Sequence, residues 1–524
     1  MLSNKILSTL KTYTTNMSCN VKFVVKKGLH EKKDELLEFL SDISSVSEKL
    51  SYEERDSDIL RSPISFYLEM DDNNSGIYFS GIPSGHEFNS LILAVLQSSG
   101  TDLKLDKSIQ TNIQKISDIL HFEVYISLSC HNCPEVVQAL NQFAIINPNI
   151  SCEMIDGGLF QELIKKNDIQ GVPSVYLNGN LFINGKVTVS DLIDKLSNFM
   201  HVDVLETSQL DLQDVVIIGG GPAGSSAAIY CARKGLNVTM IAERLGGQLK
   251  DTQGIENMIS MSKTSGSELS NSLLDHMSHY DINIKEHIRV TNIINDEIKK
   301  VELSSGEIVN TKTIIISTGA NWRELGVPGE KENIGNGVAY CPHCDGPFFK
   351  NKDVAVIGGG NSGIEAALDL SGIVNSVKVF EFLPESKADK VLIEQAFKKK
   401  NIEIITNTIT KSITSHNGKV DGMIIENRES LVEKKILVNG IFIQIGLVPN
   451  SSFLGNLVDL TEYGEIIIND KCMTSEMGIF ACGDVTTVPY KQIIVSMGEG
   501  SKAALGAFEY LLSESDRLDA LYES

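Results

Sequence analysis

Two pairs of cysteines with Cys-x-x-Cys spacing could carry disulfide chemistry in this chain. Cys130 and Cys133 lie in SCHNCP at the start of a predicted helix, and Cys341 and Cys344 lie in YCPHCDG. A thiol at a helix N-terminus meets the positive end of the helix dipole, which lowers its pKa and raises its thiolate fraction. Because the thiolate is the form that attacks a disulfide, the first pair is predicted to be redox-active.

The same four cysteines could instead bind zinc. Zinc ribbons usually bring two such pairs together across about 15–20 residues. Here the pairs lie in distant segments with different strand and helix patterns. The sequence therefore favours two separate redox pairs and predicts no bound metal, with a non-enzymatic zinc-binding interaction protein as the alternative.

Two glycine-rich loops each follow a predicted buried strand and begin a predicted helix. Their key glycines, in order, are Gly219, Gly221, Gly224, Gly358, Gly360 and Gly363. In a dinucleotide-binding loop the first glycine permits a tight turn, the second lets the backbone approach a pyrophosphate, and the third lets the helix pack on the strand. The following strands are predicted to end at Glu243 and Glu381, where a carboxylate can accept hydrogen bonds from a ribose. Two dinucleotide sites in one chain suggest electron exchange between two dinucleotides.

The segment after the second loop, EFLPESKADK, bears on the choice of nicotinamide cofactor. An acid such as Glu381 accepts from a ribose 2′-hydroxyl, whereas a 2′-phosphate requires a neighbouring arginine or lysine. The segment contains no arginine, so the sequence predicts NADH. Lys387 and Lys390 leave NADPH open as the alternative.

The first 200 or so residues have the pattern of one α/β plan repeated. The second copy has a strand at 122–127, the Cys-x-x-Cys helix, another strand, and a hairpin after Pro173. The first copy has a strand in VKFVVKK, a long predicted helix at 31–50 and a hairpin after Pro63, but no cysteine pair. The predicted organisation, in chain order, is modules 1–103 and 104–200, a linker 201–213, one domain formed by 214–332 with 450–524, and another at 333–449.

Composition narrows the range of partners. The chain has 524 residues and a formal net charge of −22. Repulsion from phosphate argues against nucleic acid or an anionic membrane as a partner. No apolar run reaches the roughly 18 residues of a membrane helix, and the first residues do not form a secretory signal, so a cytoplasmic protein is expected.

The motifs GGGPAG, GGQL, CPHCDG, GGGNSG and ACGD resemble those of low-molecular-weight thioredoxin reductases. With SCHNCP, GVPSV and VPYKQII added, nearly the whole chain resembles the flavoprotein subunits of bacterial alkyl hydroperoxide reductases. The resemblance implies an α/β protein with tandem thioredoxin-like folds followed by two Rossmann-like dinucleotide-binding domains. It also implies one FAD per subunit, NADH as electron donor, a homodimer and a peroxiredoxin partner.

The resemblance assigns a role to each cysteine. Electrons would pass from NADH to FAD, then to Cys341/Cys344, then to Cys130/Cys133, and finally to the peroxiredoxin disulfide. Cys344 would lie against the flavin, Cys341 would exchange with the next disulfide, and Asp345 would be the nearby acid. Cys130 would attack the partner and Cys133 would resolve the mixed disulfide.

Other residues are assigned by the same resemblance. Asp484, after Gly483, would bind the ribityl and phosphate groups of FAD. Further cofactor-binding positions are Gln248, Asn257 and Gln492. Gly171-Val172-Pro173 resembles the cis-proline turn that faces the cysteines in thioredoxin-like domains.

Glu87 of the first copy would tune the first cysteine pair, with an exposed carboxylate of no function as the alternative. His131 and His343, inside the two pairs, are expected either to stabilise thiolates or to be merely tolerated.

One rival function is a thioredoxin reductase fused to its own thioredoxin, acting on protein disulfides in general. A tandem fold with one silent copy disfavours it, because a simple fusion needs only one module.

The relay also requires the second cysteine pair to meet both the flavin and the first pair. The motifs therefore predict a rotation of the nucleotide domain, roughly 337–449, and a swing of the N-terminal part on its linker.

Overall fold

The computed structural model describes residues 2–130, 132–169, 171–185, 187–199, 210–252 and 254–523, apart from the side chains of Asp251, His343, Cys344 and 515–523. The chain divides into two compact units. The first comprises Met1–Gln209 with Lys285–Thr291 and Glu302–Val309, and the second comprises the rest. Most of the predicted linker and His131 lie outside the described residues.

The first unit alternates helices and strands. Its helices are Asn4–Thr14 (α1), Lys33–Ser44 (α2), Phe88–Ser98 (α3), Lys107–Gln114 (α4), Cys133–Ile146 (α5), Gln161–Lys166 (α6) and Val189–Leu196 (α7). Its strands are Val21–Lys26 (β1), Leu50–Arg55 (β2), Ser65–Met70 (β3), Asn73–Ser80 (β4), Leu120–Ile126 (β5), Ile150–Asp156 (β6), Ser174–Leu177 (β7) and Asn180–Asn184 (β8). Short 3₁₀ turns cover Gly85–Glu87 and Ser197–Phe199.

These strands form a single sheet in the order β2-β1-β3-β4-β6-β5-β7-β8. In the first half β1 pairs parallel to β2 and antiparallel to β3, and in the second half β5 pairs in the same way with β6 and β7. Pro63 precedes β3 as Pro173 precedes β7. The repeated topology confirms the predicted duplication, and the two copies join where β4 pairs parallel to β6.

One element of the first copy was predicted wrongly. The helix expected at 31–50 ends at Ser44, and Leu50 begins strand β2. Only Leu50 is buried in the LSYEER segment, so an apolar alternation is missing. Among the described strands β2 forms one edge of the sheet and pairs with β1 alone, and an edge strand of this kind leaves little hydrophobic signal in the sequence.

Ion pairs between a partly exposed arginine and two poorly exposed glutamates link the two copies. Arg61 of the first copy contacts Glu153 of β6, with Nη2 2.6 Å from Oε2, and also contacts Glu123 of β5. Ser80 of β4 donates a hydrogen bond to Glu153 Oε1 at 2.5 Å. The Glu153 side chain is 9% exposed, so the arginine, more than water, stabilises the charge of its carboxylate.

We expect Arg61→Met to lower the free energy of unfolding of the first unit by about 2–4 kcal/mol, because it leaves two poorly solvated carboxylates without a counter-charge. Urea unfolding followed by circular dichroism measures the change. Lys27→Met is the matched control, since Lys27 pairs with Asp56 where the side chains are 54% and 87% exposed. Equal losses for both variants would contradict the prediction.

The rest of the chain from Leu210, which includes the segments 285–291 and 302–309 that are counted with the first unit, is built mainly from β–α segments. Its helices are Pro222–Ala232 (α8), Gly266–Ser278 (α9), Pro342–Asp345 (α10), Asn361–Ser371 (α11), Lys390–Lys398 (α12) and Ile493–Glu523 (α13). The strands up to the second cysteine pair are Gln213–Ile218 (β9), Val238–Ala242 (β10), Ile282–Glu286 (β11), Val290–Ile294 (β12), Lys299–Leu303 (β13), Ile308–Ile316 (β14), Ala320–Trp322 (β15) and Val338–Ala339 (β16). The later strands are Asp353–Ile357 (β17), Ser376–Phe380 (β18), Ile402–Ile405 (β19), Thr408–His416 (β20), Lys419–Asn427 (β21), Glu433–Ile436 (β22), Gly440–Ile443 (β23), Leu447–Pro449 (β24) and Ile479–Ala481 (β25).

Two sheets carry the glycine-rich loops. The first has the order β11-β10-β9-β14-β13-β12, with β25 also pairing with β14, and the second has the order β16-β23-β17-β18-β19. Strands β9 and β17, which precede the loops, are inner parallel strands. This arrangement is that of the Rossmann-like dinucleotide-binding domains that the sequence predicts. Across the described residues, every helix is too short or too polar to cross a membrane.

Candidate redox and dinucleotide sites

Cys130 and Cys133 differ in environment although they belong to one motif. Cys133 is the first residue of α5 and is fully buried, whereas Cys130 lies in the preceding turn and is partly exposed. The backbone N–H of Cys133 donates to Cys130 Sγ at 3.2 Å. The Cys133 thiol, together with the backbone N–H groups of Asn132 and Cys133, lowers the pKa of Cys130 to about 6 against the opposing effect of burial. Hydrogen bonding to Cys130, followed by burial, raises the pKa of Cys133 far above its ordinary value.

The peptide bond between Val172 and Pro173 is cis, as predicted from the sequence. The Cys130 thiol faces this turn, with Sγ 3.8 Å from the Val172 carbonyl oxygen. The turn therefore lies beside the more accessible thiol of the pair.

Glu87 is brought to the cysteine pair by the first, thiol-free copy. It ends a 3₁₀ turn whose residue His86 donates its backbone N–H to the Leu128 carbonyl, just before Cys130. The side chain is 0% exposed, so the alternative of an exposed carboxylate is wrong. Neither carboxylate oxygen makes a hydrogen bond of ordinary geometry with the described residues. Burial raises the pKa of Glu87 to about 7, against an opposing interaction with the Ser90 side chain and with a smaller contribution from the charge of Cys130.

We expect the free energy of unfolding to depend on pH because the pKa of Glu87 is raised in the folded protein. Between about pH 4.5 and 7 the folded protein holds a proton on Glu87 that the unfolded chain has released, so stability falls as pH rises through this window. Relative to wild type, Glu87→Gln should therefore gain about 2–3 kcal/mol on going from pH 5 to pH 8. Urea midpoints at both pH values give this difference, and Glu38→Gln, at an exposed position, is the control. If the difference in free energy of unfolding between Glu87→Gln and wild type were the same at both pH values, the raised pKa of Glu87 would be contradicted.

The second cysteine pair lies on the short helix α10. Cys341 is disulfide-bonded, while the side chains of Cys344 and His343 lie outside what the structure describes. Asp345 ends this helix, and its backbone N–H donates to the Cys341 carbonyl at 3.0 Å. Burial raises the pKa of Asp345 to about 6, against a hydrogen bond from the Cys341 backbone. A carboxyl group with this pKa can exchange a proton near neutral pH.

The first glycine-rich loop has the geometry of a pyrophosphate cradle. Gly219 has a φ of 115°, and a side chain there would collide with the Ser317 carbonyl oxygen. A side chain at Gly224 would collide with the Gly219 carbonyl oxygen, whereas one at Gly221 would meet nothing within 4 Å. The first and third glycines are thus required by packing, and the second leaves open space at the start of α8. An FAD pyrophosphate fits this space, where the free N–H groups of the helix point.

The second glycine-rich loop repeats this geometry. A side chain at Gly363 would collide with the Gly358 carbonyl oxygen, and Gly360 again has nothing within 4 Å. Glu381 directly follows β18 and is 8% exposed. Its Oε2 accepts from the Gly359 backbone N–H at 2.5 Å, so the carboxylate lies against the loop, where a ribose would bind. The residues present therefore fit a nicotinamide dinucleotide.

The remaining predicted FAD contacts belong to several elements. Asn257 Nδ2 donates to Gln492 Oε1 at 3.2 Å, which joins two predicted binding positions. Gln248 donates to the Ala320 carbonyl oxygen. Glu243 is the first residue after β10 and is exposed.

Gly483 and Asp484 lie in a 3₁₀ turn, Gly483–Val485, that follows β25. Gly483 has a φ of 76°, a conformation that favours glycine. Ser496 of α13 donates to Asp484 Oδ1 at 3.0 Å. Burial raises the pKa of Asp484 against this hydrogen bond. The carboxylate is thus held close to the end of β25, where the sequence predicted contacts with FAD.

Packing indicates the role of Cys482 and of a cluster of possible metal ligands that the sequence did not predict. Cys482 is fully buried and burial raises its pKa, so it is a packing residue. Ligand atoms of His121, Glu123 and Glu153 lie within 4.8 Å of one another in the first unit. Arg61 already supplies positive charge to both glutamates, so the cluster serves the contact between the two copies.

Two residues at these sites were not predicted from the sequence. The Ser317 hydroxyl lies within hydrogen-bond distance of both the Ile218 and the Gly219 carbonyl oxygens at the first loop and can donate to either. Arg428 donates to the Phe382 carbonyl oxygen, next to Glu381. A polar residue at the end of β14 was the only available signal for Ser317, and Arg428 is too distant in sequence to have given one.

Two family models match the segments in which these residues lie. The family model described as pyridine nucleotide-disulphide oxidoreductase matches residues 213–500, and the thioredoxin domain model matches residues 120–198. The F subunit of alkyl hydroperoxide reductase from Staphylococcus aureus (strain MRSA252) is 48% identical over 513 residues, covering 98% of this chain and 100% of that protein. A Bacillus subtilis (strain 168) protein named NADH dehydrogenase is 45% identical over 512 residues, covering 98% of this chain and 99% of that protein.

Solved structures resemble the reductase part. Thioredoxin reductase from Streptococcus pyogenes MGAS5005 is 35% identical with a TM-score of 0.55, covering 58% of this chain and 99% of that structure. Thioredoxin reductase from Giardia duodenalis is 29% identical with a TM-score of 0.55, covering 58% of this chain and 100% of that structure.

Proposed function

Because this chain belongs to the pyridine nucleotide-disulphide oxidoreductase family, and within it to the group of alkyl hydroperoxide reductase F subunits, we propose that its two cysteine pairs pass electrons from NADH to the disulfide of a peroxiredoxin. The protein is an FAD-dependent disulfide oxidoreductase. The observation that best supports the proposed path is the asymmetry of Cys130 and Cys133, a partly exposed thiol of lowered pKa paired with a buried one.

FAD, when bound, accepts a hydride from NADH and supplies electrons to a disulfide. The residues that would hold it are the loop around Gly221, Glu243, Gln248, the Asn257–Gln492 pair, and Gly483 with Asp484. The loop around Gly360 and Glu381 would hold NADH. Asp345, with a pKa of about 6, would exchange the proton that accompanies reduction of the Cys341/Cys344 disulfide.

The first cysteine pair would act by thiol–disulfide exchange. The Cys130 thiolate attacks one sulfur of the partner disulfide, forming a mixed disulfide and releasing the other partner sulfur as a thiolate. The Cys133 sulfur, after losing its proton, attacks Cys130 and releases the second partner thiolate, leaving a Cys130–Cys133 disulfide. Cys341/Cys344 would then reduce this disulfide.

Glu87 would take up the proton of Cys133. With its pKa near 7, the carboxylate can both accept and release a proton near neutral pH. The redox-silent copy would therefore contribute an acid–base group to a site whose thiols come entirely from the other copy.

We also propose that the molecule is a cytoplasmic homodimer and that its domains follow the boundaries predicted from the sequence. Rotation of the nucleotide domain and a swing of the N-terminal part would bring each cysteine pair to its successive partners.

Activity toward different disulfides tests the proposed substrate. We expect NADH-dependent reduction of an oxidised peroxiredoxin to exceed reduction of insulin by at least about a hundredfold in kcat/KM, a discrimination that specific contacts can supply. Consumption of NADH, followed by absorbance, measures both. Equal rates with insulin would instead favour a general thioredoxin reductase fused to its own thioredoxin.

A further inference from the structure

The residue after Glu381 is a half-exposed aromatic. Phe382 is 48% exposed. Arg428 covers one face of its ring, with the guanidinium carbon 3.7 Å from the ring centroid. This geometry is that of a cation–π contact. With one face covered, the exposed surface of Phe382 belongs to the opposite face and the ring edge.

Hydrogen bonds hold the two side chains in this arrangement. Arg428 Nη1 donates to the Phe382 carbonyl oxygen at 2.9 Å. The Arg428 backbone N–H donates to the Asn407 carbonyl, and the Asn407 N–H donates to the Leu383 carbonyl. Hydrogen bonds therefore connect the segment after β21 to the segment after β18, and Arg428 packs against the covered face of the Phe382 ring.

Phe382 follows the glutamate that contacts the second glycine-rich loop. Glu381, its chain neighbour, contacts the Gly359 N–H through Oε2. Gly360 next to it leaves space open at the start of α11. In a dinucleotide-binding fold of this kind, an acid after the second strand contacts the ribose of the adenosine half. An aromatic ring adjacent to that acid is therefore within reach of the adenine base.

We propose that the free face of Phe382 is the surface on which the adenine base of the dinucleotide stacks, and that Arg428 is a positioning residue that holds this ring. The inference rests on the proposed use of a nicotinamide dinucleotide at this loop. Stacking of a base on an aromatic ring needs no particular base edge and strengthens binding of the adenosine half. Arg428 is engaged with the ring and carbonyl of Phe382, so it acts through stacking and not as an anchor for a 2′-phosphate.

Calorimetric titration of the oxidised holoenzyme with ADP-ribose tests the proposal, because this probe contains the adenosine half but no redox-active group. We expect Phe382→Leu to weaken ADP-ribose binding by about tenfold. Phe382→Tyr should remain within about twofold of wild type, since it keeps the aromatic face. Arg428→Met should weaken binding by about threefold and Arg428→Lys by less, because lysine retains a cation above the ring.

Kinetics give a second readout. Phe382→Leu should raise KM for NADH with little change in kcat, and should leave kcat/KM for reduced nicotinamide mononucleotide, which lacks adenine, unchanged. Phe397→Leu, on α12 at a 72% exposed position, is the matched control. Flavin content and urea midpoints should match wild type in all variants.

Three results would overturn the inference. If Phe382→Leu binds ADP-ribose within about twofold of wild type, the adenine base does not stack on Phe382. Equal losses for NADH and reduced nicotinamide mononucleotide indicate a general disturbance of the domain. A larger effect of Arg428→Met on 2′-phospho-ADP-ribose than on ADP-ribose identifies Arg428 as a phosphate anchor. If wild type itself does not bind ADP-ribose, the dinucleotide assignment of this loop fails, and the stacking inference fails with it.

Discussion

Replacing Cys133 with serine should reduce NADH-driven reduction of a peroxiredoxin by at least about a thousandfold. The buried Cys133 thiol lies beside Cys130, and serine cannot attack the mixed disulfide that forms there. The variant should therefore become trapped in a covalent complex with the partner. Non-reducing electrophoresis detects this complex, and NADH consumption measures the rate.

Matched variants separate the roles of the two thiols. Cys130→Ser should lose turnover equally but form no covalent complex, because the attacking thiol is absent. Cys19→Ser removes a thiol from the silent copy and should behave as wild type. All three should keep their flavin and should reduce a small electron acceptor with NADH at the wild-type rate. Unchanged peroxiredoxin reduction by a Cys130→Ser/Cys133→Ser double variant would show that Cys341/Cys344 delivers electrons directly.

Gly360→Val should raise KM for NADH by about a hundredfold, equivalent to about 3 kcal/mol, without destabilising the protein. Gly360 has a φ of −79°, which valine adopts readily, and a side chain there meets nothing within 4 Å. The added side chain would fill the space that a pyrophosphate needs. Binding of ADP-ribose, flavin content and urea midpoint together measure the effect.

Gly363→Ala is the contrasting variant. Its Cβ would collide with the Gly358 carbonyl oxygen, so we expect it to weaken both NADH binding and stability. Gly221→Val, in the first loop, should instead deplete bound FAD. A Gly360→Val protein that binds ADP-ribose normally would contradict the cradle assigned to this loop.

Local sequence determined the parts of this protein that depend on backbone conformation or on a short motif. The glycines at 219 and 358 lie at φ values that other residues adopt with strain, and Gly224 and Gly363 have no room for a side chain. The cysteine spacing, the cis Val172-Pro173 bond and the repeated strand order could likewise be predicted, because each leaves a signal within a few residues or at a fixed interval.

Tertiary structure alone decided the surroundings of these motifs. Glu87 is an ordinary surface residue by type, and only packing of the silent copy against the Cys130 turn buries it and raises its pKa to about 7. Arg61 and Arg428 meet their partners across long chain separations. Strand β2 was missed because pairing with β1, and not its own polar sequence, makes it a strand. Motifs are set by what each residue permits at its own position, whereas burial, charge pairing and pKa depend on which distant groups the fold places beside it.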